Sequence, residues 1–222
     1  MFPFSSHHYQ LRLWLAAGGI DPDADLRLMV TPPPFMAASL ANGSIDGFCV
    51  GAPWNSVAAQ AGAGRILHAS REIVANCPEK VLALRAGFAL ANRPCVSALS
   101  AAIREAADWS ADPAHLDALV ELLVKAAITQ QEWARISAAL LRDILAPRSG
   151  ASPLATLRLD REATRANRDH ARWLFRQMVD AHQVVSLPEN EAIALSVYRP
   201  DLGDAPAGPS VLPLDLDLSP GP

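Results

Sequence analysis

The 222 residues predict an α/β fold built on a parallel sheet. Three observations carry that reading. Short apolar runs alternate with helix-length segments through the first third of the chain, prolines stand where strands give way to helices, and turn signals separate the units. The later two thirds read as mostly helical.

Ser5 or Ser6 can cap a helix running from about His7 to Ala17, stopped by Gly18-Gly19. Asp21-Pro22-Asp23 is a turn signal and Leu26–Thr31 reads as a strand. Pro32 to Pro34 open a helix reaching Leu40, and Asn42-Gly43 turns the chain. Ile45–Val50 is a second strand, Pro53 begins a helix ending near Gly62, and Arg65–His68 is a third strand. Lys80–Leu84 reads as a further strand. Helices follow over Pro94–Trp109, Pro113–Ala126, Thr129–Ile144 and Glu162–Ala181, with a loop over Leu145–Pro153. Prolines and glycines recur from Pro200 to Pro222, which reads as an extended, mobile tail.

Composition narrows the class. Half the residues are hydrophobic, 19% are charged, and the formal net charge is −4. That excludes a disordered or collagen-like chain, and mild acidity argues against a general nucleic-acid binder. The start of the chain lacks the basic and apolar regions of a secretory signal, and no uncharged stretch is long enough to span a bilayer. Cys49, Cys77 and Cys95 have no metal or redox spacing; Cys49, in an apolar run, reads as a buried thiol.

Four stretches could carry chemistry. Ser5-Ser6-His7-His8 opens a helix, where unpaired backbone N–H groups and the helix dipole favour an anion; a capped helix with surface histidines is the plainer alternative. Gly51 lies between a predicted strand and the helix opened by Pro53, where a ligand can approach the backbone, although many such connections bind nothing. Lys80, before an apolar run, could meet an anion or simply be solvated. Arg161, Arg165, Arg168, Arg172 and Arg176 fall on one face of the predicted helix and could dock a partner, but Glu162, Asp169 and Asp180 dilute the stripe. No nucleophile elbow, phosphate loop or zinc spacing is present, and a hydrolase using His7 or His8 with a serine is suggested only superficially, so catalysis finds little support.

Together, Ser5-Ser6-His7-His8-Tyr9, Leu11-Arg12-Leu13-Trp14-Leu15-Ala16-Ala17-Gly18-Gly19-Ile20-Asp21-Pro22, Pro32-Pro33-Pro34, Ile45-Asp46-Gly47-Phe48-Cys49-Val50-Gly51 with Pro53-Trp54-Asn55, and Cys77-Pro78-Glu79-Lys80-Val81-Leu82 resemble the nitrate- and bicarbonate-binding proteins of ABC transporters. The resemblance is dense over residues 1 to about 85 and returns around Asn167 to Met178. It implies a non-enzymatic solute-binding protein with the type II periplasmic-binding-protein fold. One lobe would be near complete at 1–78, a largely helical return into the other lobe would occupy 79–198, and a tail would follow at 199–222. On this resemblance the chain starts at the second lobe and the N-terminal part of the first lobe is absent, so binding by these residues alone should be weak or nil.

By the same resemblance, His7, the backbone of Gly51 and Lys80 would be nitrate or nitrite ligands. A planar monoanion needs several donors and modest positive charge, which this set would supply. The bicarbonate branch carries an acidic residue at the position of Lys80, with a metal nearby, so Lys80 implies nitrate or nitrite without a metal or other cofactor. The family commonly has glutamate where this chain has Ala52. The implied partners are the membrane subunits of an ABC transporter, in a periplasmic or membrane-associated setting. A related branch implies the alternative of a cytoplasmic nitrate sensor that restrains an antitermination regulator.

Overall fold

A computed structural model describes residues 2–128 and 161–202. The predicted helix at Thr129–Ile144, the loop at Leu145–Pro153 and the tail beyond Leu202 lie outside the described residues. Backbone contacts divide the chain into two units. The described parts of the first are 2–73 and 112–128; those of the second are 74–111 and 161–202.

In the first unit, α1 spans Ser6–Ala17, α2 Pro33–Ala41, α3 Trp54–Gln60, α4 Ser70–Ile73 and α7 Leu116–Ile128. Ser5 caps α1 by accepting a hydrogen bond from the His8 amide at 3.2 Å. Gly19, at φ +76°, closes it: the Ile20 amide reaches back to the Leu15 carbonyl at 2.9 Å, and the Gly19 amide to Ala16 at 2.9 Å. α2 begins at paired prolines, where a missing amide costs no helical hydrogen bond. It packs on α3, while α1 packs on α4. Val120 of α7 is buried against Ala52, Val57, Leu116, Leu123 and Val124, so α7 helps cover the entry to α3. Tyr9, Leu15, Met36, Trp54 and Ala58 are buried in this unit as well.

In the second unit, α5 spans Ala86–Ala91, α6 Arg93–Ala111, α8 Arg168–Asp180 and α9 Pro188–Ser196. α6 packs against α5 and against the 3-10 turns Arg161–Thr164 and Pro200–Leu202. α8 packs against α9 and buries Ala171, Trp173 and Phe175. Arg172 joins the two helices, donating to Asp169 at 2.7 Å and to Glu191 at 3.3 Å.

Several local expectations need correction. Leu26–Thr31, Ile45–Val50, Arg65–His68 and Lys80–Leu84 carry the residues of strands, but form no strand ladder among the described residues; Val74 holds an isolated bridge position. A strand is defined by its neighbour, because its backbone groups bond across to another strand. Here several of the apolar side chains are exposed, Val30 by 66% and Val81 by 65%, while Ile45, Phe48 and Val50 are half-buried. The helix expected over Glu162–Ala181 is split: a 3-10 turn ends at Thr164, and α8 begins only after Asn167, whose side-chain oxygen accepts from the Asp169 amide at 2.8 Å. Arg161 and Arg165 therefore lie outside α8 and the five-arginine stripe does not form. The helix expected over Pro113–Ala126 is a 3-10 turn, Pro113–His115, followed by α7. Among the described residues, no helix is long and apolar enough to cross a membrane.

Candidate functional site

His7 is the second residue of α1 and is half-buried. The first turn of α1 contains no acidic side chain, so the positive end of the helix is not neutralised by its own residues. Ser5 is committed to the turn: its hydroxyl donates to the Phe2 carbonyl at 2.8 Å and accepts from His8. His8, Tyr9 and Gln10 are buried one after another, so the start of α1 is enclosed on several sides.

Arg12 stands one turn along from His8 and makes a two-pronged contact with Asp23 in the following loop. The hydrogen bond it donates to that carboxylate raises the pKa of the Arg12 guanidinium. Burial, and then the charge of Arg12, push the pKa of His8 below its ordinary value. Trp14 lies farther along α1, with its ring 5.8 Å from the ring of His68.

Gly51 is half-buried in the irregular segment before α3. The next bond, Ala52-Pro53, is cis, and Pro53 and Trp54 are buried at the helix entry. Ala52 lies against Val120. Cys49, two residues before Gly51, is half-buried, and burial pushes its thiol up to about 11. All three cysteines are free.

His7 and Gly51 belong to the first unit, whereas Lys80 belongs to the second. The Lys80 side chain is 83% exposed and pairs with the carboxylate of Glu79. Among the described residues, no group of three or more His, Cys, Asp or Glu could hold a metal ion.

Sequence reasoning named His8 in the helix start but not its burial, and it missed the Arg12–Asp23 pair. The Asp21-Pro22-Asp23 turn was visible, but only the fold carries its carboxylate back to α1. His170 and Tyr198 of the second unit were also missed; their rings meet edge to face at 6.5 Å, and burial lowers the pKa of His170. α9 had a readable signal in Pro188 at its start and Glu189 and Glu191 in its first turn.

Comparison with a solved structure supplies the class. The backbone matches the crystal structure of the periplasmic nitrate-binding protein NrtA from Synechocystis PCC 6803 with a TM-score of 0.77 and 24% identity, covering 91% of this chain and 54% of that one. The fold is thus that of a type II periplasmic binding protein, as the resemblance implied. Residues 1–124 match the model of the NMT1-like family, and the chain belongs to that family.

Among curated relatives, the nitrate/nitrite binding protein NrtA of Synechococcus elongatus is 42% identical over 121 residues, 54% of this chain and 27% of the relative. The nitrate import ATP-binding protein NrtC of Synechocystis is 32% identical over 207 residues, 90% of this chain and 30% of that protein. The bicarbonate transport ATP-binding protein CmpC of Synechococcus elongatus is 45% identical over 121 residues, 54% of this chain and 18% of that protein. The chain thus spans well under half the length of these relatives.

Proposed function

We propose that this chain is a non-enzymatic solute-binding component of an ABC-type anion transporter, with nitrate or nitrite as its ligand. The half-buried His7 in a first helical turn without an acidic residue carries the reading. A helix N-terminus offers oriented N–H donors and partial positive charge, and an imidazole adds a further donor. The backbone at Gly51 and the ammonium of Lys80 are proposed as further anion donors on the family resemblance alone; the exposed Lys80 would exchange Glu79 for the anion. Relatives named for nitrate and nitrite support the ligand, and the alignment with NrtC, over most of this chain, supports the transporter setting.

A second reading, bicarbonate, is favoured by the 45% identity to CmpC. Lys80 argues for the nitrate reading because a cation is an anion partner and does not serve as a metal ligand at neutral pH.

NMR titration of the chain with nitrate, nitrite and bicarbonate tests the choice, since it detects weak binding. Nitrate or nitrite should shift the signals of His7, Gly51 and Lys80. His7→Asn and Lys80→Glu should each lower affinity by about tenfold or more, as expected for loss of a charge-assisted hydrogen bond. A preference for bicarbonate over nitrate and nitrite would overturn the reading.

A further inference from the structure

His8 is only 8% exposed, and its Nδ1 is buried without a hydrogen-bond partner. A neutral ring can carry its hydrogen on Nε2 and leave Nδ1 as an acceptor. Protonation turns Nδ1 into a donor and places a charge on the ring, so a buried donor without an acceptor and a poorly solvated cation arise together.

The surrounding charges do not relieve this. Arg12, on the same helix, repels an imidazolium. Among the described residues, Asp23 is the influence that opposes this, yet both its oxygens are engaged by Arg12. Asp21 acts on Arg12. α4, packed against α1, carries Arg71 and Glu72; Glu72 accepts from the Ala69 amide and lies 3.9 Å from the Nδ1 of His68.

We propose that His8 is an acid-sensitive latch on the start of α1, closed while its ring is neutral and opened when the ring gains a proton, so that His7 loses its fixed position. The neutral ring fits the enclosed first turn. The cation is better accommodated in water, so protonation is coupled to fraying of the turn that presents His7. Acid would then release the anion-facing end of α1 through a residue that need not touch the anion.

The test requires no anion, so its outcome is independent of the nitrate reading. Amide hydrogen exchange at Gln10, Leu11 and Arg12, corrected for intrinsic rates, should show about a tenfold loss of protection between about pH 7.5 and about pH 5, as an exposed ring takes up the proton that the enclosed ring resists. In His8→Gln the corrected protection should be level across that range. Ring NMR of the unsubstituted chain should place the His8 pKa below the ordinary 6.5, with protection lost as the pH falls from that ordinary value to the lowered one. This measurement decides the matter if the variant does not fold. Level protection in the unsubstituted chain, an equal loss in His8→Gln, or a His8 pKa at or above 6.5 would overturn the latch.

Discussion

Arg12 and Asp23 form a parallel two-pronged ion pair, with Nη1 on Oδ1 at 2.7 Å and Nη2 on Oδ2 at 2.6 Å. Arg12 is largely enclosed while Asp23 is 63% exposed, so the pair ties an exposed loop to the enclosed first helix. Solvent screening limits its worth to about 1 kcal/mol. Asp23→Asn should lower the melting temperature by about 2–4 °C, and less at high salt. Thermal melts at low and high ionic strength check both points.

Two helix ends share a geometry but differ in residue. α1 closes with Gly19 at φ +76°, and α8 closes with His182 at φ +56°. In each, the amide beyond the turn reaches back five residues, from Ile20 to Leu15 and from Gln183 to Met178, both at 2.9 Å. A side chain in this left-handed conformation costs about 1 kcal/mol relative to glycine. His182→Gly should therefore raise stability by up to about 1 kcal/mol, and Gly19→Ala should lower it by a similar amount. Urea unfolding of the two variants should show midpoint shifts of opposite sign.

The cysteines should react in a definite order. Cys95 is exposed on α6, whereas the Cys49 thiol is half-buried and pushed up to about 11. At pH 8 only about one in a thousand such thiols is ionised, and the thiolate is the reacting species. Mass spectrometry during iodoacetamide treatment should find Cys95 modified well before Cys49. Equal rates would show that Cys49 is not enclosed as described.

His170 predicts a stability dependence on pH. Burial lowers its pKa in the folded chain, with Asp169 opposing weakly. The unfolded chain therefore takes up the proton first as pH falls. The contribution of neutral His170 is complete above about 6.5 and is lost progressively below it. His170→Gln should show a shallower loss of stability on acidification than the unsubstituted chain. Denaturant midpoints from about pH 7.5 to about pH 5 check this.

Helices were the legible part of the fold. The Ser5 cap, the Gly18-Gly19 stop and the proline start of α2 are local signals, satisfied by bonds within a few residues. α8 was placed but begun too early, because Asn167 interrupts the arginine spacing with a cap that periodicity alone does not weigh. The candidate site was legible in part. His7 could be placed at a helix start from the neighbouring residues, while the Glu79 pairing of Lys80 depends on a side-chain orientation that spacing does not specify.

By itself, the sequence determined where helices begin and end and which stretches have strand-like composition, because capping, proline and glycine effects act over one turn. It also contained the stretches that resemble anion-binding proteins. Only the tertiary structure decided that 26–31, 45–50, 65–68 and 80–84 form no ladder among the described residues, since a strand depends on a neighbour distant in sequence. It alone also decided that His8 is enclosed beside Arg12 and that Asp23 is already engaged, because burial and charge pairing depend on which distant segments the chain brings together.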